Sequence, residues 1–120
     1  MAFRFEGMDI WQMARGYSDA IYRLAAGFPE FERYSLGSQI TRAANSICLN
    51  IAEGSGRGST ADFSHFLTIA LGSTFEVASA LIMASDRGYV GKTSFDGLYD
   101  QADKLGRSIH NFRRAINAKR

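Results

Sequence analysis

Residues 35 to 63 read SLGSQITRAANSICLNIAEGSGRGSTADF, and the pattern in this stretch decides the fold. Leu36, Ile40, Ala43, Ala44, Ile47 and Ile51 recur at steps of three and four, the spacing that gathers side chains on one face of an α-helix. Ser35 stands where an N-cap belongs, and Gly54 reads as a stop in the left-handed conformation that ends many helices. Ser59, with Asp62 three residues on, opens a further helix. A break this short makes the two helices antiparallel neighbours.

The same periodicity extends in both directions. Upstream, Asp9 is a candidate N-cap for a helix carrying Ile10, Trp11, Ala14, Tyr17, Ile21, Leu24 and Ala25 on one broad face, ended by Gly27 and Pro29. Downstream, Phe63, Phe66, Leu67, Ala70, Leu71, Val77, Ala78 and Leu81 continue to Gly88. A last helix starts at Thr93 or Ser94 and shows Phe95, Leu98, Tyr99, Ala102, Leu105, Ile109, Phe112 and Ile116. The expected helices span about 9–26, 35–53, 60–87 and 94–118. Together they form a single all-α domain over residues 1–120, an up-down-up-down four-helix bundle. Proline usage agrees: average composition would give roughly six, whereas Pro29 stands alone in 120 residues. Long uninterrupted helices tolerate such a composition, and a many-turned β fold does not.

The third helix has too little charge for one that exposes a side to water. From Asp62 to Ser85, 14 of 24 residues are apolar, only Asp62, His65 and Glu76 titrate, and Lys and Arg are absent. Its Ser and Thr content reads as too polar for a membrane span, so no membrane is expected. The helix is central to the bundle or lies at a subunit contact, with Ile69, Phe75 and Ile82 on the second face. A homo-oligomer is therefore expected. The single cysteine, Cys48, rules out an intramolecular disulfide and fits a reducing cytoplasm, and the first fifteen residues lack the apolar core of a secretory signal.

Two polar features are candidates for function. On the second helix Gln39, Arg42, Ser46, Asn50 and Glu53 share a stripe beside the apolar one. Counting outward from the turn sets Arg42 level with Glu76 as an ion pair, Gly72 and Ser73 at a close helix approach, and Glu53 within reach of Arg57. This stripe reads as a structural polar network or as the lining of a groove for a partner. The second feature is electrostatic. Residues 1 to 103 hold eight Lys and Arg against twelve Asp and Glu, a balance of −4, whereas Lys104, Arg107, Arg113, Arg114, Lys119 and Arg120 follow with no acid, a balance of +6. Clustered cations neutralise phosphates and supply sequence-independent affinity for nucleic acid. A solvated helix end complementing its own dipole is the alternative.

Catalytic and metal chemistry find little support. The glycine run from Gly54 to Gly58 lacks the Gly-Lys-Ser/Thr ending of a phosphate loop and reads as a turn. A bundle-borne metal pair needs two Glu-x-x-His motifs and two further glutamates, and only Asp62-x-x-His65 approaches one half of that set. Neither cofactor nor enzyme activity is expected.

The run Leu36-x-x-Gln39-Ile40-x-Arg42-Ala43-Ala44-x-Ser46-Ile47-x-x-Asn50-Ile51-Ala52-Glu53-Gly54-x-Gly56-Arg57 resembles the signature of the four-helix-bundle ribosomal intervening-sequence, or S23, proteins. Trp11, Ala14, Phe28-Pro29, Phe66-Leu67, Ala70, Gly72-Ser73, Glu76 and Gly88-Tyr89 support it over residues 8 to 116. Cys48 and Thr41 depart from it, standing where the family often has proline and arginine. The resemblance implies a bacterial protein without established activity and a ring-like homopentamer. It also implies kinship with the accessory variability determinant proteins of diversity-generating retroelements, which associate with a reverse transcriptase and nucleic acid. Two readings follow: a scaffold that binds structured RNA or a nucleoprotein through its basic fourth helix, and a protein-interaction module that docks a reverse transcriptase or another protein.

Overall fold

A computed structural model describes residues 2–119. Four long helices account for most of it: α1 (Asp9–Ala26), α2 (Leu36–Ser55), α3 (Thr60–Asp86) and α4 (Lys92–Ala118). Short 3-10 turns, Arg4–Gly7 and Glu30–Glu32, precede α1 and α2, and the described residues contain no β-strand. Each helix packs against its neighbours in the chain, and α1 also contacts α4. The result is an elongated body of 46 × 23 × 22 Å.

The apolar stripes meet along the long axis. Ile10, Ala14, Tyr17 and Ile21 of α1 face Leu36, Ile40, Ile47 and Ile51 of α2; Phe63, Leu67, Val77 and Leu81 of α3 and Leu105 and Ile109 of α4 close the core. Most of these side chains are excluded from water, and each buried Val, Leu, Ile or Phe is worth roughly 1.5–3 kcal/mol relative to exposure. Tyr17 carries a hydroxyl into this core and donates it to the Leu98 carbonyl of α4 at 2.9 Å. Burial pushes its phenol well above the usual tyrosine range.

The helix ends differ from the sequence expectations in instructive ways. Met8, not Asp9, is the N-cap of α1, and Asp9 is its first helical residue, where a carboxylate still favours the helix dipole. Ser35 makes no capping hydrogen bond; the Glu32 carboxylate accepts from the Leu36 amide at 3.4 Å instead. Gly54 does not stop α2. It is helical and buried, and α2 continues to Ser55. An added Cβ at Gly54 would come within 2.8 Å of both Phe63 and Phe66, so the residue is glycine because α3 crosses there. Among the described residues only Gly88 has positive φ, at 79°. It closes α3 in a Schellman arrangement, with Tyr89 N–H on the Ala84 carbonyl at 2.9 Å and Gly88 N–H on that of Ser85 at 3.0 Å. Ser59 caps α3 as expected, accepting from the Asp62 amide at 3.1 Å. Helix α4 starts at Lys92, earlier than the expected 94, with Gly91 as an N-cap that has no side chain to accept from the first-turn amides.

By length and composition α3 is apolar enough to cross a membrane, with a mean hydropathy of 1.7 over its most apolar window. Its hydroxyl residues do not take it out of that class, contrary to the sequence expectation. Its apolarity instead has a structural use: α3 packs against both α2 and α4, and ten of its residues are buried, among them Ser64, Ser73 and Thr74.

Candidate functional site

The polar stripe of α2 runs beside α3, and its members meet different partners. Ser46 is the hub: it accepts the Ser73 hydroxyl at 2.8 Å across the helix interface and the Asn50 side-chain amide at 2.9 Å. Asn50 also donates to the Ser46 carbonyl at 2.8 Å. Arg57 binds Glu53 at 2.7 Å and lies over the Phe66 ring at 4.6 Å. Gln39, Arg42, Ala43, Ser46 and Glu76 line one groove of about 370 Å³. The expected ion pair between Arg42 and Glu76 is not formed; the two share that groove without coming within salt-bridge distance. Gly72 is not a close-approach residue either: nothing lies within 4 Å of where its Cβ would be, because it is on the outer face of α3. The close approaches are made by Ser73 and, at the last turn of α2, by Gly54.

The cations of α4 do not act as one block. Arg107 binds Asp103 at 3.0 Å along the same helix face. Arg113 turns toward α3 and donates from Nε to the buried Ser64 hydroxyl at 3.0 Å. Lys104, Arg114 and Lys119 are exposed and form no ion pair among the described residues. Arg120 lies outside the described residues. Beyond Asp103 the helix carries no acid, so the local field is positive although the rest of the chain is acidic.

Between α3 and α4 runs an open groove of about 510 Å³. Leu71, Phe75, Ala78 and Tyr99 give it apolar walls, and Asp103, Arg107 and His110 edge one side. Phe75 is 76% exposed at its centre, with Ile82 at 45% and Ile69 at 39% on the same helix. These are the residues singled out in the sequence as a second contact face, and they stand on the outside of α3.

One cluster was not found from the sequence. Glu32 is only 5% exposed. Its Oε2 accepts the Tyr89 hydroxyl at 2.8 Å and an Arg87 guanidinium N–H at 3.0 Å. The Tyr89 hydrogen bond is the largest of several influences that hold its carboxyl below the usual range. The cluster ties the α1–α2 connection to the α3–α4 connection at one end of the molecule. Its members are 55 and 57 residues apart, so no local spacing marks them. Among the described residues no three His, Cys, Asp or Glu side chains come together as a metal site would require.

The family model for the 23S rRNA-intervening sequence proteins matches residues 6–111. The chain belongs to this family. The fold agrees: a protein of unknown function from the S23 ribosomal protein family of Bacteroides thetaiotaomicron superposes with a TM-score of 0.78 at 20% identity, over 87% of this chain and 97% of that one. At that identity the likeness speaks for the fold alone. No curated protein matches the sequence. Within the 23S rRNA-intervening sequence family, the quoted run from Leu36 to Arg57 covers the face of α2 that carries Ser46 and the crossing at Gly54. Of its polar residues, Ser46 hydrogen-bonds across to α3, while Asn50 and Glu53 bond within four residues along the chain.

Proposed function

We propose that this protein is a non-enzymatic helical scaffold of the cytoplasm that self-associates and binds structured RNA, or a nucleoprotein, through the second half of α4. The observation that carries the reading is the charge layout there: five described cations follow Asp103 without an intervening acid, and one of them is neutralised by an ion pair. Such a surface gains affinity by releasing counterions from phosphates and needs no particular base sequence.

The scaffold is read as an up-down-up-down bundle. Three cross-helix pairings support this: Ser18 with Asn45, Ser46 with Ser73, and Ser64 with Arg113, each between the register positions that antiparallel neighbours bring level. Self-association, with the homopentameric ring as the proposed form, is supported by the exposed apolar face of α3 at Ile69, Phe75 and Ile82. Several basic helix ends on one particle raise the effective concentration at a polyanion.

The test is a titration of a structured RNA hairpin at rising salt. The reading expects affinity to fall steeply with salt and to vanish when Lys104 and Lys119 are changed to Glu. Binding that is absent at low salt, or indifferent to salt, overturns it. The second reading, a module docking a reverse transcriptase or other protein with nucleic acid incidental, draws on the same α3 face. It expects capture of a protein partner that survives nuclease and high salt.

A further inference from the structure

The exposed face of α4 carries a charge pattern that is its own complement. Asp96, Asp100 and Asp103 are followed by Arg107, His110 and Arg114, and all six are exposed. At 3.6 residues per turn they fall within an arc of about 80°, so they form one stripe pointing away from the core. The order along the stripe is symmetric in position and opposite in charge. About a point at Leu105 the acids stand nine, five and two residues before, and the basic residues two, five and nine residues after.

We infer that α4 is a docking surface for the α4 of a second copy of this chain, laid antiparallel across a twofold axis at Leu105. In that arrangement Asp96 faces Arg114, Asp100 faces His110 and Asp103 faces Arg107 of the partner copy, and each pairing occurs twice. The matched span runs from Asp96 to Arg114, 19 residues, whose 18 steps of 1.5 Å cover about 27 Å. A self-complementary patch of this kind is what a twofold interface requires. A parallel pairing would set acid against acid and base against base.

The geometry near the axis fits. Asp103 and Arg107 are joined at 3.0 Å within one helix, yet their side chains remain 52% and 76% exposed. Two copies would bring two such pairs together as a four-membered cluster of alternating sign. Single exposed ion pairs contribute little, but networks held on rigid helices contribute more. Apolar area adjoins the stripe on its α3 side, where Tyr99 and Phe75 are exposed. Lys92, which binds Asp96 at 3.1 Å, lies beyond the symmetric span and opposes none of it. Lys104 and Lys119 are exposed off the stripe, so this contact leaves them to a polyanion.

Charge exchange tests it on the full-length protein. One variant carries Asp96→Arg, Asp100→Arg and Asp103→Arg, and a second carries Arg107→Asp, His110→Asp and Arg114→Asp. The particle mass from light scattering at low salt is expected to fall by half for each variant alone. Mixing the two is expected to restore it, with one of each per pair in native mass spectrometry. Circular dichroism checks that both remain helical. Unchanged mass in either variant, or no recovery on mixing, overturns the inference. The unsubstituted protein supplies a second measurement that depends on no variant folding: its mass is expected to halve between low salt and 1 M salt, where the Debye length is about 3 Å. A mass indifferent to salt overturns the inference as well.

Discussion

Tyr89, just beyond the end of α3, donates its hydroxyl hydrogen at 2.8 Å to Glu32, a carboxylate buried before α2 begins. With Arg87 on the same oxygen, this contact joins the two connections at one end of the protein. The Phe28 ring packs on Tyr89 with centroids 5.3 Å apart and helps exclude water from it. Because the folded protein holds the Glu32 carboxyl below its unfolded value, the cluster stabilises fully above the ordinary carboxylate pKa. That contribution is lost as pH falls through the folded value. Tyr89→Phe removes the largest cause of the shift. Its denaturation midpoint is expected to fall at pH 7, and the difference from the unsubstituted protein to shrink toward pH 3, as measured by urea melts across that range.

Two glycines give opposite expectations for the same substitution. Gly54→Ala drives a Cβ to within 2.8 Å of Phe63 and Phe66 and is expected to destabilise by about 1–3 kcal/mol, the cost of overpacking. Gly16 lies inside α1 with nothing within 4 Å of a built Cβ. Gly16→Ala is expected to stabilise by roughly 0.5–1 kcal/mol through the better helix propensity of alanine. Thermal unfolding of the pair separates packing from propensity.

Phe75 offers a clean probe of self-association because it contributes little to the monomer. At 76% exposure, Phe75→Asp is expected to change unfolding free energy by less than about 0.5 kcal/mol. If the α3 face joins copies, the same change lowers the particle mass in analytical ultracentrifugation. Ile47→Ala serves as the contrast: Ile47 is fully buried, and its truncation is expected to cost about 2–5 kcal/mol.

For RNA binding the slope is more informative than the affinity. Each phosphate-contacting cation that is removed lowers the slope of log affinity against log salt by about 1. Lys104→Ala and Lys119→Ala are each expected to show that decrement. Arg42→Ala, in the α2–α3 groove and off α4, is expected to leave the slope unchanged.

Cys48 is half-buried, and burial is the main reason its thiol sits above the usual cysteine value, with Arg15 opposing and Asp19 adding to the shift. A protonated thiol is a weak nucleophile. Alkylation by iodoacetamide at pH 7 is expected to run slower than for free cysteine and to accelerate as pH rises past the ordinary thiol range.

The sequence by itself determined the helices, because the apolar residues from Ile10 to Ile116 repeat at a period that only an α-helix presents on one face. It also located the Ser59 cap, the Gly88 stop and the unusual apolarity of α3, all carried by residues close together in the chain. Tertiary structure decided what local spacing cannot encode. Gly54 looks like a stop in the chain and is in fact where α3 crosses α2. Arg42 and Glu76 are level by count and line one groove without pairing, while Ser46 and Ser73 meet beside them. The six basic residues of the tail form one block in sequence, but helical geometry sends Arg113 to Ser64 and Arg107 to Asp103 and leaves Lys104, Arg114 and Lys119 in solvent. Glu32, Arg87 and Tyr89 become a cluster only because two connections distant in sequence close at the same end. Periodicity reports which face of a helix is buried; which residues meet across an interface depends on axial rotation and shift, and only packing sets those.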